Sequence, residues 1–122
     1  CALRVITGSE KAQRVEYRIA AADANPYIIL SAVIASGLWG IENKAEPQHI
    51  VKGNAYDQTL PPQLKLPTGL WDAAQQLKKS SMARDYFGDA FVDHFAVTRE
   101  WEEQEYRKHI SEWELERYFE NI

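Results

Sequence analysis

The chain has a single cysteine, Cys1, and this scarcity excludes several kinds of site. One thiol cannot close an internal disulfide, and no signal-peptide pattern opens the sequence, so we expect a reducing, cytoplasmic compartment. The sequence also lacks a zinc-type Cys/His spacing, a glycine-rich phosphate loop and a serine nucleophile elbow. Its 122 residues make one domain at most, and it begins without methionine, almost inside a strand. We therefore expect a piece of a longer protein.

Basic charge and long apolar runs are also limited. Lys and Arg number 14 against 18 Asp and Glu, which gives a net charge of -4. The basic residues are scattered and form no patch with interleaved aromatics, which argues against a nucleic-acid partner. The longest uncharged run, residues 24–41, is diluted by serine and glycine and has no basic flanks. This argues against a membrane span.

A short strand of alternating charge is the most distinctive feature present. In an extended chain, Arg14, Glu16 and Arg18 project from one face, whereas Val15 and Tyr17 project from the other. The pattern predicts a packed apolar face and a charged one. The charged face has two interpretations: a solvated strand face with paired charges, or an anion and metal site. In the second, the carboxylate would bind a hard cation and the arginines would bind phosphate or carboxylate oxygens.

The surrounding pattern predicts an α+β fold that is mostly helical. Residues 2–7 predict a first strand, paired through a turn at Gly8-Ser9 so that Arg4 lies near the charged row. Asn25 as N-cap and Pro26 as first residue start a helix that runs to about Asn43. The apolar side chains of this helix are distributed around nearly its whole circumference, which predicts a long buried helix. The strands would belong to a larger sheet.

The second half predicts a loop and then several helices. Residues 44–67 hold prolines and no sustained period, so we expect a long loop. The first two expected helices run from a Thr68 cap to about Lys79 and from Ser80 or Ser81 to Gly88. The third runs from Asp89 to about His109, and the last begins at a capping box at Ser111 and carries an apolar stripe that ends at Ile122.

The charged strand and the helix after it resemble one family over more than thirty positions. KAQRVEYR followed by DANPYIILSAVIASGLWGIENK resembles the glutamine synthetase family, whose pattern is K-A-R-R-x-E-x-R, D-P-x-x-N-P-Y and A-G-L-x-G-I-x-N-K. Arg4 matches the R-[IV] strand of that family. The tail, EWEEQEYRKHISEWELERYFENI, resembles the branch that includes γ-glutamyl-polyamine ligases. The resemblance identifies the C-terminal portion of a catalytic domain, spanning residues 1–122.

The resemblance implies a role for each matching residue. It implies that Glu16 binds the divalent ion, Mg²⁺ or Mn²⁺, that bridges the phosphates of ATP. Arg18 would hold glutamate or the phosphoryl group passing to it, and Arg18 and Arg4 would be catalytic. Arg14, Lys11 and Arg4 would surround the nucleotide. The implied reaction is activation of the γ-carboxylate of glutamate to an acyl phosphate, followed by attack of ammonia or an amine.

The resemblance also implies what this chain does not contain. The other metal-binding glutamates, the histidine and most of the glutamate pocket would lie upstream of Cys1. We therefore expect the isolated fragment to be inactive and the parent to be a homo-oligomer with active sites at subunit interfaces. The alternative is a non-catalytic relative with a structural or interaction role.

A tyrosine in the predicted loop has two interpretations. Tyr56, in Asn54-Ala55-Tyr56-Asp57, resembles the loop tyrosine that some bacterial members adenylylate, which implies a regulatory site. The sequence that follows, Gln58-Thr59-Leu60-Pro61-Pro62, departs from the usual Y-D-L-P-P. This departure favours a tyrosine that anchors a mobile loop.

Overall fold

The structure is a computed structural model, and it describes residues 2–46 and 50–119. The described residues form an antiparallel hairpin and five α-helices, which confirms the predicted mostly helical α+β class. The elements are β1 (Leu3–Ile6), β2 (Arg14–Tyr17), α1 (Pro26–Glu42), α2 (Leu70–Lys79), α3 (Ser81–Phe87), α4 (Asp89–Tyr106) and α5 (Glu112–Tyr118). The chain divides into two compact units, Cys1–Leu64 and Lys65–Ile122. Cys1 and Ile122, which entered the predictions above, lie outside the described residues.

Strands β1 and β2 form the predicted antiparallel hairpin, with Arg4 beside the charged row. Arg4 pairs with Glu16 and Val5 pairs with Val15, so these two pairs lie on opposite faces, and Ile6 lies opposite Arg14 on the face that carries the charges. The apolar face is not packed as predicted, because Val15 is 63% exposed and Tyr17 is 42% exposed. The alternation in sequence fixes which residues share a face, but packing requires a covering element that the described part of unit one does not supply.

Helix α1 begins as its sequence predicts. The Asn25 side-chain oxygen accepts hydrogen bonds from the backbone N–H of Tyr27 at 2.9 Å and of Ile28 at 3.4 Å, and Pro26 opens the helix. The sequence predicts a helix that the complete protein buries, and in this chain Ala35 is the one buried residue of α1. Large apolar side chains such as Ile34 are exposed. Across residues 2–46 and 50–119, no helix combines the length and hydropathy needed to cross a membrane.

The predicted loop contains short ordered turns. Two 3-10 turns, Ala55–Asp57 and Pro62–Leu64, interrupt it. Its residues 47–49 lie outside the described part of the chain.

In the second unit, α2, α3 and α4 pack through small side chains. Ala74, Ala83, Val92 and Ala96 are buried, which allows the helix backbones to approach closely. The start of α2 differs from the prediction, because Gly69 is the N-cap, with extended backbone and no side-chain cap, in place of Thr68.

The ends of α4 and α5 are set by local hydrogen bonds. Helix α4 ends at Tyr106 rather than near His109, because the N–H groups of Lys108 and His109 bond three residues back and tighten the last turn. The capping box of α5 is confirmed: Glu114 N–H donates to Ser111 Oγ at 3.2 Å, and Ser111 N–H donates to the Glu114 carboxylate at 2.8 Å.

A charged cluster joins α2 to α4. The Glu100 carboxylate accepts hydrogen bonds from Lys78 Nζ at 2.6 and 2.7 Å, and Gln75 Nε2 donates to the same carboxylate. The Lys78 bond, supported by Gln75, lowers the pKa of Glu100 below its ordinary value. The folded state therefore favours the ionised carboxylate.

We expect Glu100→Gln to loosen the packing of α2 on α4. A lowered folded pKa contributes stability that is present above the unfolded pKa of about 4.3 and is lost as pH falls through the folded value. Hydrogen exchange in the complete protein should show a several-fold loss of α2 amide protection at pH 7, and the ratio to wild type should approach one in acid. Glu102→Gln, at an exposed pair with Arg99, is the matched control. Equal effects of the two variants would contradict this role for Glu100.

Candidate functional site

The charged face of the hairpin brings three of the predicted site residues together. Glu16 Oε2 lies 3.5 Å from Arg4 Nη1, and Glu16 Oε1 lies 3.4 Å from Arg14 Nε. Arg4 and Arg14 are more than half exposed, whereas the Glu16 side chain is 33% exposed. Both distances exceed the usual 2.7–3.2 Å of an N–H···O hydrogen bond, so the pairs are loose. The carboxylate oxygens therefore keep lone pairs for another ligand.

Arg18 continues the charged row just beyond β2. Its backbone N–H donates to the Ala2 carbonyl at 2.9 Å, which extends the ladder by one rung. Within residues 2–46 and 50–119, no carboxylate forms an ion pair with the Arg18 guanidinium. Arg4 and Arg14 thus flank the single negative charge of Glu16, and Arg18 adds a third positive charge one residue beyond β2. This face is suited to binding anions, because guanidinium groups can contact carboxylate or phosphate oxygens bidentately.

Lys11 is not part of this arrangement. It lies in the turn between β1 and β2, where Ala12 N–H donates to the Ser9 carbonyl at 2.7 Å. Its side chain is exposed and pairs with no carboxylate of the described chain. Of the predicted nucleotide-binding residues, the structure therefore brings Arg14 and Arg4 to Glu16 and leaves Lys11 at the end of the hairpin.

Arg18 borders a pocket that the sequence patterns did not predict. The pocket has a volume of about 380 Å³ and is lined by Arg18, Gly53, Asn54, Ala55 and Tyr56. The residues on its two sides are distant in sequence. The only local signal is the turn chemistry of Gly53-Asn54, because glycine tolerates a positive φ and asparagine caps short turns.

Tyr56 is 96% exposed in this turn. Its backbone N–H is held by the Asn54 side-chain oxygen at 3.2 Å. The ring is therefore not buried against the described residues, as a loop anchor within this chain would be. Its hydroxyl is instead accessible beside the pocket.

Glu16 has the type of donor atom that the predicted metal site requires, but the described residues do not supply enough ligands to complete the site. Carboxylate oxygens are the ligands that Mg²⁺ prefers, and Glu16 offers them on the charged face. No group of three or more His, Cys, Asp or Glu residues converges in the described part of the chain. Glu16 can therefore supply one protein ligand, and the remaining ligands would be phosphates, water or groups of other polypeptide.

Comparison with known proteins gives matches along nearly the whole chain. Residues 1–118 match the sequence model of the glutamine synthetase catalytic domain. A type-1 glutamine synthetase of Dictyostelium discoideum is 44% identical over 99% of this chain and 23% of its own length. A glutamate–isopropylamine ligase of a Pseudomonas species is 42% identical over 98% of this chain and 26% of its own length. A glutamine synthetase of Thermococcus kodakarensis is 36% identical over 96% of this chain and 30% of its own length. The chain thus spans roughly a quarter of the curated relatives it matches.

Proposed function

Because the chain belongs to the glutamine synthetase family, we propose that it is the C-terminal part of the catalytic domain of an ATP-dependent glutamate–amine ligase. The observation that carries the proposal is the charged face, where Arg4 and Arg14 flank Glu16 and Arg18 stands without a carboxylate partner among the described residues. A face with three guanidinium groups and one carboxylate has the chemistry needed to bind phosphate and carboxylate oxygens. It is not complete in this chain alone.

The proposed reaction has two steps. An oxygen of the glutamate γ-carboxylate attacks the γ-phosphorus of ATP, the bond to the bridging oxygen breaks, and ADP leaves. The nitrogen of the acceptor then attacks the acyl carbon, phosphate leaves with the carbon–oxygen bond electrons, and the nitrogen loses a proton. Glutamate, ATP and ammonia or an amine are the small-molecule partners of this proposal.

Each step develops negative charge that the arginines can offset. We assign Arg18 to the carboxylate of glutamate or the transferring phosphoryl group, and Arg4, which lies beside Glu16, as the second catalytic cation. Preorganised positive charge near the transferring phosphoryl lowers the barrier without covalent chemistry by the protein. Mg²⁺ or Mn²⁺, when bound, would add positive charge at the phosphates, and Glu16 is the residue of this chain that would hold it.

The nucleotide side of the site is assigned to Arg14 and Lys11. Arg14 is 58% exposed beside Glu16, which leaves its guanidinium open to a phosphate. Lys11 is exposed at the end of the hairpin, where a flexible ammonium can reach a nucleotide that extends past Arg14.

The acceptor is ammonia or an organic amine. The relatives include glutamine synthetases, a glutamate–isopropylamine ligase and a γ-glutamylethanolamide synthetase of Streptomyces coelicolor. The tail resembles the polyamine branch, whereas the named relatives act on different acceptors, so both ammonia and an organic amine stay in this proposal.

We expect the complete protein to release ADP in a reaction that requires both glutamate and an acceptor. Ammonia, isopropylamine, ethanolamine and putrescine should be compared in a coupled ADP assay, with product mass confirming the γ-glutamyl amide. A strong preference for ammonia would contradict the polyamine interpretation of the tail. Absence of ADP release with every acceptor would contradict the proposed function.

Assembly, location and regulation complete the proposal. The family relationship supports a cytoplasmic homo-oligomer with active sites at subunit interfaces. The exposure of Tyr56 supports regulation by modification of its hydroxyl, since a modifying enzyme must reach that group. The departure at Gln58-Thr59 from the family loop weighs against such regulation.

A further inference from the structure

The pocket beside Arg18 presents hydrogen-bond donors on two sides. One side is the Arg18 guanidinium, which pairs with no carboxylate of the described residues. The other side is the turn from Gly53 to Tyr56. Because no hydrogen bond from the described residues engages the Tyr56 hydroxyl, this phenol is free to donate to a ligand.

The other polar groups of the turn are largely occupied. The Asn54 side chain accepts from Tyr56 N–H and donates to Asp57 Oδ2 at 3.0 Å, so both its ends are used within the turn. The carbonyls of Asn54 and Ala55 accept from Asp57 N–H and Gln58 N–H, each at 3.4 Å. The side-chain groups left for a ligand in this pocket are thus a guanidinium and a phenol. Both can donate, and the guanidinium is positive, so the pocket favours an oxyanion.

The turn is held in place by its own hydrogen bonds. Gln58 Nε2 donates to the Lys52 carbonyl at 2.7 Å, which closes the segment at its base. Gly53 has a φ of +78°, a conformation that favours glycine, and it sets the direction in which the turn leaves that base. A turn closed in this way can hold Tyr56 at the pocket that Arg18 also lines, without burying the tyrosine ring.

We propose that Tyr56 is a further substrate-binding residue, whose hydroxyl donates a hydrogen bond to the oxyanion that Arg18 binds. This inference rests on the proposed function, which supplies two oxyanions of suitable chemistry: a carboxylate of glutamate and a phosphate of ATP. Tyr56 adds a neutral, directional donor to the charge of Arg18, so it orients the anion as well as attracting it.

Tyr56→Phe in the complete protein tests this proposal, because it removes the hydroxyl and keeps the ring. Loss of one hydrogen bond to a charged group corresponds to an increase of about tenfold or more in KM for the substrate that carries the anion. A higher KM for glutamate with an unchanged KM for ATP would identify the carboxylate, and the reverse would identify the phosphate. Calorimetric titration of glutamate and of an ATP analogue should show the same weakening.

Tyr106→Phe is the matched control, since Tyr106 is also an exposed tyrosine but lies on α4 and does not line the pocket. It should change either KM less than twofold. The Arg18→Gln, Tyr56→Phe double variant should lose less affinity than the product of the two single losses, because both groups bind one anion.

The outcomes separate this inference from the proposed function. If the wild-type protein is active and the Tyr56→Phe variant has the same KM values and affinities, the role of Tyr56 is overturned and the proposed function is not. Fully multiplicative losses in the double variant would also overturn that role. A wild-type protein that ligates no acceptor to glutamate would overturn the proposed function and this inference with it.

Discussion

Replacing Glu16 by alanine in the complete protein is expected to abolish turnover. Glu16 is the one carboxylate between Arg4 and Arg14 on the charged face, and its oxygens lie 3.5 and 3.4 Å from their nitrogens. Without it, the arginines lose their counter-charge, and the site loses the carboxylate that would hold a divalent ion. Removal of one preorganised electrostatic group commonly costs about 10²–10³ in kcat, and loss of a metal ligand adds to that cost.

The measurement is ATP-dependent γ-glutamyl transfer at saturating substrates, followed by a titration with Mg²⁺ and Mn²⁺. We expect kcat to fall by about 10³ or more. Any residual activity should need a higher concentration of Mg²⁺ or Mn²⁺ to reach half of its maximum. Glu10→Gln is the matched control, because it removes the same charge from an exposed position in the hairpin turn. Near-normal ligation by Glu16→Ala would contradict the assignment. An inactive wild-type protein would favour the non-catalytic alternative.

Local features of the fold could be predicted because their causes are local. The Asn25 cap, the Ser111 capping box and the pairing of Arg4 with Glu16 each depend on residues within a few positions or one hairpin. The start of α2 could not be predicted as closely, since Thr68 and Gly69 are both acceptable caps. In the structure Gly69 has the extended backbone of an N-cap. Residue chemistry left that choice open.

Burial and the pocket depend on contacts that pattern reading does not contain. An apolar helix such as α1 implies a covering partner, but its own sequence does not say whether that partner is within the same 122 residues. The pocket joins Arg18 to Tyr56 across the whole of α1. The family resemblance gave Arg18 and Tyr56 separate roles, and only the three-dimensional structure placed them around one cavity.

The isolated chain is expected neither to catalyse ligation nor to bind ATP tightly, and it is expected to self-associate. Helix α1 exposes Leu30, Ile34 and Ile41, and the hairpin exposes Val5 and Val15. Each large apolar side chain left in water forgoes about 1.5–3 kcal/mol of burial free energy. A two-stranded hairpin is also marginal in water, and its open edges can pair with another chain.

Sedimentation velocity at low micromolar concentration, with and without Mg-ATP, measures both properties in the 122-residue chain. We expect species larger than a monomer and no shift on adding nucleotide. Ile34→Glu should reduce association if α1 is the contact, whereas Val5→Lys should reduce it if the hairpin is the contact. A folded monomer that binds nucleotide tightly would contradict the prediction, because Arg4, Arg14, Glu16 and Arg18 would then suffice for a nucleotide site without further polypeptide.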